Sequence, residues 1–423
     1  MMKVAVVCKS DLRGGAAVVS YRLMKALRAE GVDARMVVCE KLSDDPYVIP
    51  AGSFWDIKRN FIVERLRVAA ANGRSRETLW QIDPATDGLP LARHPWIKEA
   101  DAVLLNWVNQ GMLSTKGLEN LLATGKPVIW TMHDKWNMTA LCHHTGDCDG
   151  FLRHCENCPL LPPGKKSENF SRDAWLRKHR AYRHDNLYCV GVSSWVVEEA
   201  RRSSLMAGVP LTVIPNAFPV EDWTPLKARD GRDTITFGAA RIDDPVKGLP
   251  YLEAAMKEFC ARYPEKASTS ELVLFGAVKD PASLDRLKAL PMAVTHTGSL
   301  APEAVRDLLE RSKVIVSTSS FETLPTTLIE GQAAGAIPVS FDRGGQRDII
   351  DHDRNGFLIP YATDPQQSAP LFADNIAKAL DRWTPDLAAA LHADVLSRFA
   401  APTIATRYLD QITRALAATT PNP

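Results

Sequence analysis

Two glutamates with seven residues between them, Glu322 and Glu330, bracket a change from loop to helix in VIVSTSSFETLPTTLIEGQAAGAIPVSFD, residues 314–342. An ionised carboxylate only accepts hydrogen bonds, and one such group can take two adjacent hydroxyls of a ribose or hexose together. Free N–H groups at the helix start, around Leu324, Thr326 and Thr327, favour a phosphate held between the two acids. The plain alternative is a pair of solvated acids on an ordinary element. A second set is His133-Asp134, which can orient a substrate or move a proton, unless the histidine is merely structural. A third is Cys142, Cys148, Cys155 and Cys158, in the array C-x5-C-x6-C-x2-C. Four thiolates at such spacing can hold a tetrahedral structural zinc that staples a loop without a core, with His143, His144 and His154 as substitute ligands. Two disulfides or four free thiols are the other readings.

These residues need elements to present them. Residues 314–316 are a short β-branched run suited to a strand buried on both faces. Pro325 falls where a first helical residue belongs, Leu328, Ile329 and Ala333 share a face, and Gly335 can end the helix before a strand at 337–341. This is a βαβ unit, and in such sheets ligands sit beyond the carboxyl ends of the strands. Residues 3–8 form an apolar strand leading through Gly14-Gly15 into a helix, a loop where backbone can approach a ligand closely. Residues 101–107 and 127–131 are further strands, and His133-Asp134 follows the second.

The 314–342 stretch resembles the donor-binding signature of retaining glycosyltransferases of family 4, and the likeness extends over nearly the whole chain. It implies an α/β protein of the GT-B fold, two Rossmann-like domains with a cleft between them and a C-terminal helix crossing back to the first. The boundaries are 1–218 for an acceptor domain containing the Cys loop at 142–158, 219–233 for a Pro-bearing charged linker, 234–398 for the donor domain and 399–423 for the returning helix. In the resemblance Glu322 contacts the donor sugar, Glu330 the ribose and His133 the sugar, and Asp134 is the candidate to orient or deprotonate an acceptor hydroxyl. The Gly14-Gly15 loop closes over the donor, the loop at Gly276 lies near the base, and Leu324, Pro325 and Thr326 border the phosphates. ARIDDPVKG matches the family's R-x5-K-G pattern, in which Arg241 and Lys247 clamp the diphosphate. Fixed cations in a dry cleft stabilise the charge that builds on a leaving diphosphate, so no metal is required for catalysis. Asn106-Trp107 stands where relatives often have His-Trp, and Ala217 where they usually have Gly. Similar Cys loops occur in bacterial polysaccharide enzymes of the colanic acid type.

The expected activity is therefore transfer of a hexosyl group from a nucleotide diphosphate sugar, with retention, to a hydroxyl of a lipid-linked polysaccharide precursor. A sugar nucleotide epimerase and a nonenzymatic zinc-loop adaptor of a polysaccharide assembly complex are the alternatives. The 423 residues, 45% hydrophobic, suffice for two cores, and a formal net charge of +1 gives no global field for nucleic acid. The opening apolar run is too short for a signal peptide and no stretch approaches a membrane span, which predicts a cytoplasmic protein, with contact at the inner membrane surface as an option. That option rests on residues 54–80, where Lys58, Arg59, Arg65, Arg67, Arg74 and Arg76 accompany Phe54, Trp55, Ile57, Phe61, Ile62 and Leu66. Such a helix either packs its apolar face on the sheet, the commoner arrangement, or lies on an anionic bilayer. Residues 169–185, with Arg172, Trp175, Arg177, Lys178, Arg180, Tyr182 and Arg183, either face an acceptor that carries phosphates or, the commoner arrangement, form a surface helix.

Overall fold

The computed structural model describes residues 1–225 and 232–419. The chain divides into two compact units, Met1–Phe218 with Ala401–Pro423, and Pro219–Ala400.

The first unit is built on β1 (Lys3–Ser10), β2 (Asp33–Glu40), β3 (Val48–Pro50), β4 (Ala102–Leu105), β5 (Val128–Met132), β6 (Leu187–Gly191) and β7 (Leu211–Val213). Every pair is parallel and the order is β3-β2-β1-β4-β5-β6-β7. β4 and β5 are buried throughout, which is why these segments read as unbroken apolar runs. The order reverses between β1 and β4, so a crevice opens at the carboxyl ends of those neighbours. The helix Gly15–Ala29 packs Leu23, Met24 and Leu27 into the same core as Ile404, Tyr408 and Ile412 of the helix Ala401–Thr419. Tyr408 and Thr131 share a hydroxyl hydrogen bond of 2.9 Å, tying the C-terminal helix to β5.

The second unit holds β8 (Asp233–Arg241), β9 (Ser270–Ala277), β10 (Ala293–His296), β11 (Ser312–Ser317), β12 (Ile337–Phe341) and β13 (Phe357–Ile359). These are also parallel, in the order β10-β9-β8-β11-β12-β13, and the reversal lies between β8 and β11. Of the expected linker, residues 226–231 lie outside the described residues. Before them the chain is packed rather than free, with Val220 and Trp223 buried and the Thr224 N–H donating to Glu310 (2.9 Å).

Three expectations change. The helix at the donor motif spans Thr326–Ala333, with Pro325 as its extended cap residue and not its first turn. The helix Lys165–Ala181 is not a surface element on its inner side, where Ser171, Trp175 and Lys178 are buried. The helix Phe54–Ala71 does not lay its apolar face on the sheet; its buried residues are Asn60, Glu64, Arg65 and Val68.

Candidate functional site

In the second unit the two loops that matter leave neighbouring strands at the reversal point. Arg241 ends β8 and the segment after it carries Lys247, while the segment after β11 carries Glu322, Leu324 and Pro325. A register shift between Gly238 and Arg241 interrupts the pairing of β8 with β9 before Arg241 meets Ala277, a common device beside functional sites. The loops are laced together: the Thr318 hydroxyl donates to the carbonyls of Lys247 (3.0 Å) and Gly248 (2.9 Å), and the Ser320 N–H to that of Val246 (2.8 Å). Lys247 Nζ donates to Glu322 Oε1 at 2.6 Å, both groups partly buried. Arg241 is more exposed and pairs with Asp244 (2.8 Å) and Asp243 (3.4 Å).

Three glycines make this approach feasible. A β-carbon at Gly248 (φ +71) would lie 2.1 Å from the Thr318 carbonyl oxygen, at Gly276 (φ +127) 1.9 Å from that of Ala239, and at Gly344 (φ +117) 2.2 Å from that of Glu322. The Gly345 N–H donates to the same Glu322 oxygen at 2.9 Å, so the acid is fixed through its backbone as well as its side chain. Leu324 is buried, and Glu330 lies half-buried on the helix Thr326–Ala333. Arg241, Lys247, Gly276, Glu322, Leu324, Pro325, Thr326 and Glu330 thus all belong to the carboxyl edge of one sheet or the helix beside it.

In the first unit Gly14, Gly15, His133 and Asp134 line a single cavity of about 1120 Å³ at the carboxyl ends of β1, β4 and β5. Gly14 (φ +92) precedes the helix Gly15–Ala29 and nothing lies within 4 Å of a β-carbon at either glycine, so the helix start is bare toward the cavity. His133 shares a hydrogen bond through Nε2 with Asn106 Oδ1 at 3.0 Å. Burial pushes His133 down to about 4, so the ring is neutral at pH 7. Between pH 4 and 6.5 the unfolded chain therefore holds a proton that the folded chain lacks, and stability falls as pH drops through that window. The loss is on the order of 3 kcal/mol across it. Urea denaturation at pH 7.5 and 5 should show a wider stability gap for the wild type than for His133→Gln; equal gaps would remove His133 from the acid response.

Asp134 is fully engaged. One oxygen accepts from the Trp107 indole N–H (3.0 Å) and from His143 Nδ1 (2.8 Å), the other from the Trp136 backbone N–H (2.7 Å). Burial opposes its charge, but His143 and the Trp136 N–H prevail and hold the carboxyl at about 2. Such a group orients its neighbours and makes a poor base. Neither His143 nor Asn106 stands out in the sequence as its partner or that of His133; His143 lies nine residues from Asp134, whereas Asn106 lies 27 from His133 and meets it only in the fold.

The Cys loop delivers His143 rather than a metal cage. Among the described residues no group of three or more His, Cys, Asp or Glu side chains is placed to hold a metal ion. Cys142, Cys148, Cys155 and Cys158 are thiols lining a cavity of about 280 Å³. Burial pushes Cys142 up to about 12 and Cys158 to about 11, and Cys155 accepts the Ala140 N–H at 3.3 Å. No disulfide joins the four, and the expected structural zinc finds no support among the described residues, whose four sulfurs surround one space without converging. Behind the loop Lys178, wholly buried, donates to the carbonyls of Trp136 (2.6 Å) and Thr139 (2.9 Å) beneath the Trp136 ring.

Two parallel, doubly wound units with ligand-type loops at their reversal points are the parts of a GT-B protein. Residues 232–382 match the family model for Glycosyl transferases group 1. The chain is 25% identical over 157 residues to the phosphatidylinositol N-acetylglucosaminyltransferase gpi3 subunit of Schizosaccharomyces pombe, covering 36% of this chain and 34% of that protein. It is 42% identical over 41 residues to the putative colanic acid biosynthesis glycosyl transferase WcaC of Escherichia coli, covering 9% of this chain and 10% of that one. The chain thus spans 34% and 10% of the lengths of these curated relatives. Among solved structures, Anabaena Alr3699/HepE in complex with UDP has a TM-score of 0.60 at 14% identity, over 98% of this chain and 100% of that one. That likeness is one of fold, and the fold is GT-B.

Proposed function

We propose that the protein is a retaining glycosyltransferase that moves a hexosyl group from a nucleotide diphosphate sugar to a hydroxyl of a lipid-linked polysaccharide precursor. The observation that carries this reading is the Lys247–Glu322 pair at the strand-order reversal, pinned by Gly248 and Gly344. A cation and an acid fixed side by side suit a phosphate and the sugar hydroxyls next to it. As the glycosidic C–O bond breaks, Arg241 and Lys247 bear the charge gathering on the diphosphate. The acceptor oxygen bonds to the anomeric carbon on the face the diphosphate leaves, and a departing phosphate oxygen takes the acceptor proton, which retains the configuration. Glu322 and neutral His133 hold sugar hydroxyls, Glu330 holds the ribose, and Asp134 keeps its loop in shape through Trp107 and His143.

A uridine donor is supported by the fold neighbour HepE, solved with UDP and with UDP-glucose. Calorimetry against UDP, GDP, ADP and CDP sugars names the donor, and product formation with a lipid-linked saccharide separates transfer from epimerisation. Glu330→Gln is expected to raise the donor KM by roughly tenfold with kcat little changed, since it removes binding common to ground and transition states. An unaltered KM would dismiss the ribose role.

A further inference from the structure

The helix Phe54–Ala71 is built inside out. Of its four buried residues, Asn60, Glu64, Arg65 and Val68, three are polar. Trp55, Arg59, Ile62 and Leu66, spaced by four, three and four residues, form one outward stripe. Trp55 is 74% and Leu66 64% exposed, with Phe54 at 66% beside them. A buried polar set and an exposed apolar stripe on one helix are each informative, and together they mark a surface meant for a partner. The anchoring is specific: Arg65 donates to the Leu79 carbonyl (2.6 Å) and to Glu64 (3.1 Å). A β-carbon at Gly111 would sit 2.6 Å from the backbone of Asn60. The helix therefore cannot roll its apolar side inward without breaking a buried ionic cluster.

We infer that this stripe docks on the surface of an anionic lipid bilayer. Between residues 54 and 80 the exposed cations are Lys58, Arg59, Arg67, Arg74 and Arg76, against the exposed acids Asp56 and Glu77. Lys58 lies over the Phe54 and Trp55 rings at 5.5 and 5.9 Å, which joins charge to aromatic surface. Tryptophan and phenylalanine seat in the headgroup region, leucine and isoleucine reach the acyl boundary, and lysine and arginine meet lipid phosphates. Among the described residues no helix is long and apolar enough to cross a membrane, so the contact lies on the surface. The adjoining side of the same helix borders the cavity of His133, where Phe54, Ile57, Lys58 and Phe61 line the wall. A saccharide on a lipid carrier would reach that cavity along this helix. The docking itself goes beyond the transfer reading and holds whatever the chemistry is.

The test is co-sedimentation of the full chain with phosphatidylcholine vesicles, with and without about 30% phosphatidylglycerol. The wild type should bind the anionic vesicles, bind the neutral ones weakly and be released by high salt. Trp55→Ser with Leu66→Ser should weaken binding by about tenfold or more, and Arg59→Glu several-fold, with thermal unfolding and nucleotide sugar affinity unchanged. Equal sedimentation of wild type and double variant overturns the inference, as does a wild type that ignores anionic vesicles. Light scattering supplies a third outcome: a dimer that the double variant splits assigns the stripe to a second copy of the chain and also overturns it.

Discussion

Lys247→Ala is expected to depress kcat for sugar transfer by on the order of a hundredfold or more, a loss of roughly 3 kcal/mol in transition-state stabilisation. The charge on a departing diphosphate grows along the reaction coordinate, so its cation contributes more at the transition state than in the ground state. Lys247 suits this because its carrier is immobile: Gly248 lies against the Thr318 carbonyl, and the Thr318 hydroxyl donates to the Lys247 carbonyl at 3.0 Å. The pair with Glu322 is partly open to water, so its loss should change folding stability by under about 1 kcal/mol. Transfer rates at saturating donor, read beside urea denaturation, separate the two effects. A kcat close to that of the wild type would remove Lys247 from the chemistry.

The second large effect concerns stability. Lys178→Met keeps much of the side-chain volume but leaves the Thr139 carbonyl, which Lys178 now satisfies, without a donor, and the Trp136 carbonyl with only the long contacts from the Thr139 N–H (3.4 Å) and hydroxyl (3.5 Å). The orphaned Thr139 carbonyl costs about 1–3 kcal/mol and the weakened Trp136 carbonyl adds to this, less the desolvation no longer imposed on the ammonium, so a net loss of about 1–3 kcal/mol is expected. Burial pulls Lys178 down to about 7 from 10.5, against the opposing pull of Asp83 and nearby thiols. Between pH 7 and 10.5 the unfolded chain then holds a proton that the folded chain lacks, so wild-type stability rises with pH across that window. The Met variant lacks this rise. Urea midpoints at pH 7 and 9 check both statements; a variant as stable as the wild type at pH 7 would show that Lys178 merely fills space.

The sheets were legible because strands buried on both faces are apolar at every position, as in residues 102–105 and 128–132. Glu322, Lys247 and Gly248 were each legible as candidates, but their joining across 75 positions is a tertiary fact. Periodicity showed that residues 54–71 have an apolar side; it carries no information on which way that side faces, and a buried Glu64–Arg65 cluster decided it. Lys178 was misread because a lysine among arginines is ordinarily solvated, and only the loop beneath which it lies reveals its two acceptors. The cysteine spacing set the proximity of four sulfurs but not their directions. The acid of the His-Asp element looked like a base because its three donors, from residues 107, 136 and 143, converge on it only in the fold.

Each of the three crowded glycines, Gly248, Gly276 and Gly344, abuts the main-chain oxygen of another residue: Thr318, Ala239 and Glu322. Every amino acid supplies such an oxygen, so these three contacts fix the glycine and ask nothing of the side chain that faces it; Thr318 and Glu322 are held to their identities by their own side-chain bonds instead. The constraint is then one-sided: an alanine at any of these glycines would dislodge the neighbouring loop, whereas the backbone oxygen it meets is the same whatever residue supplies it.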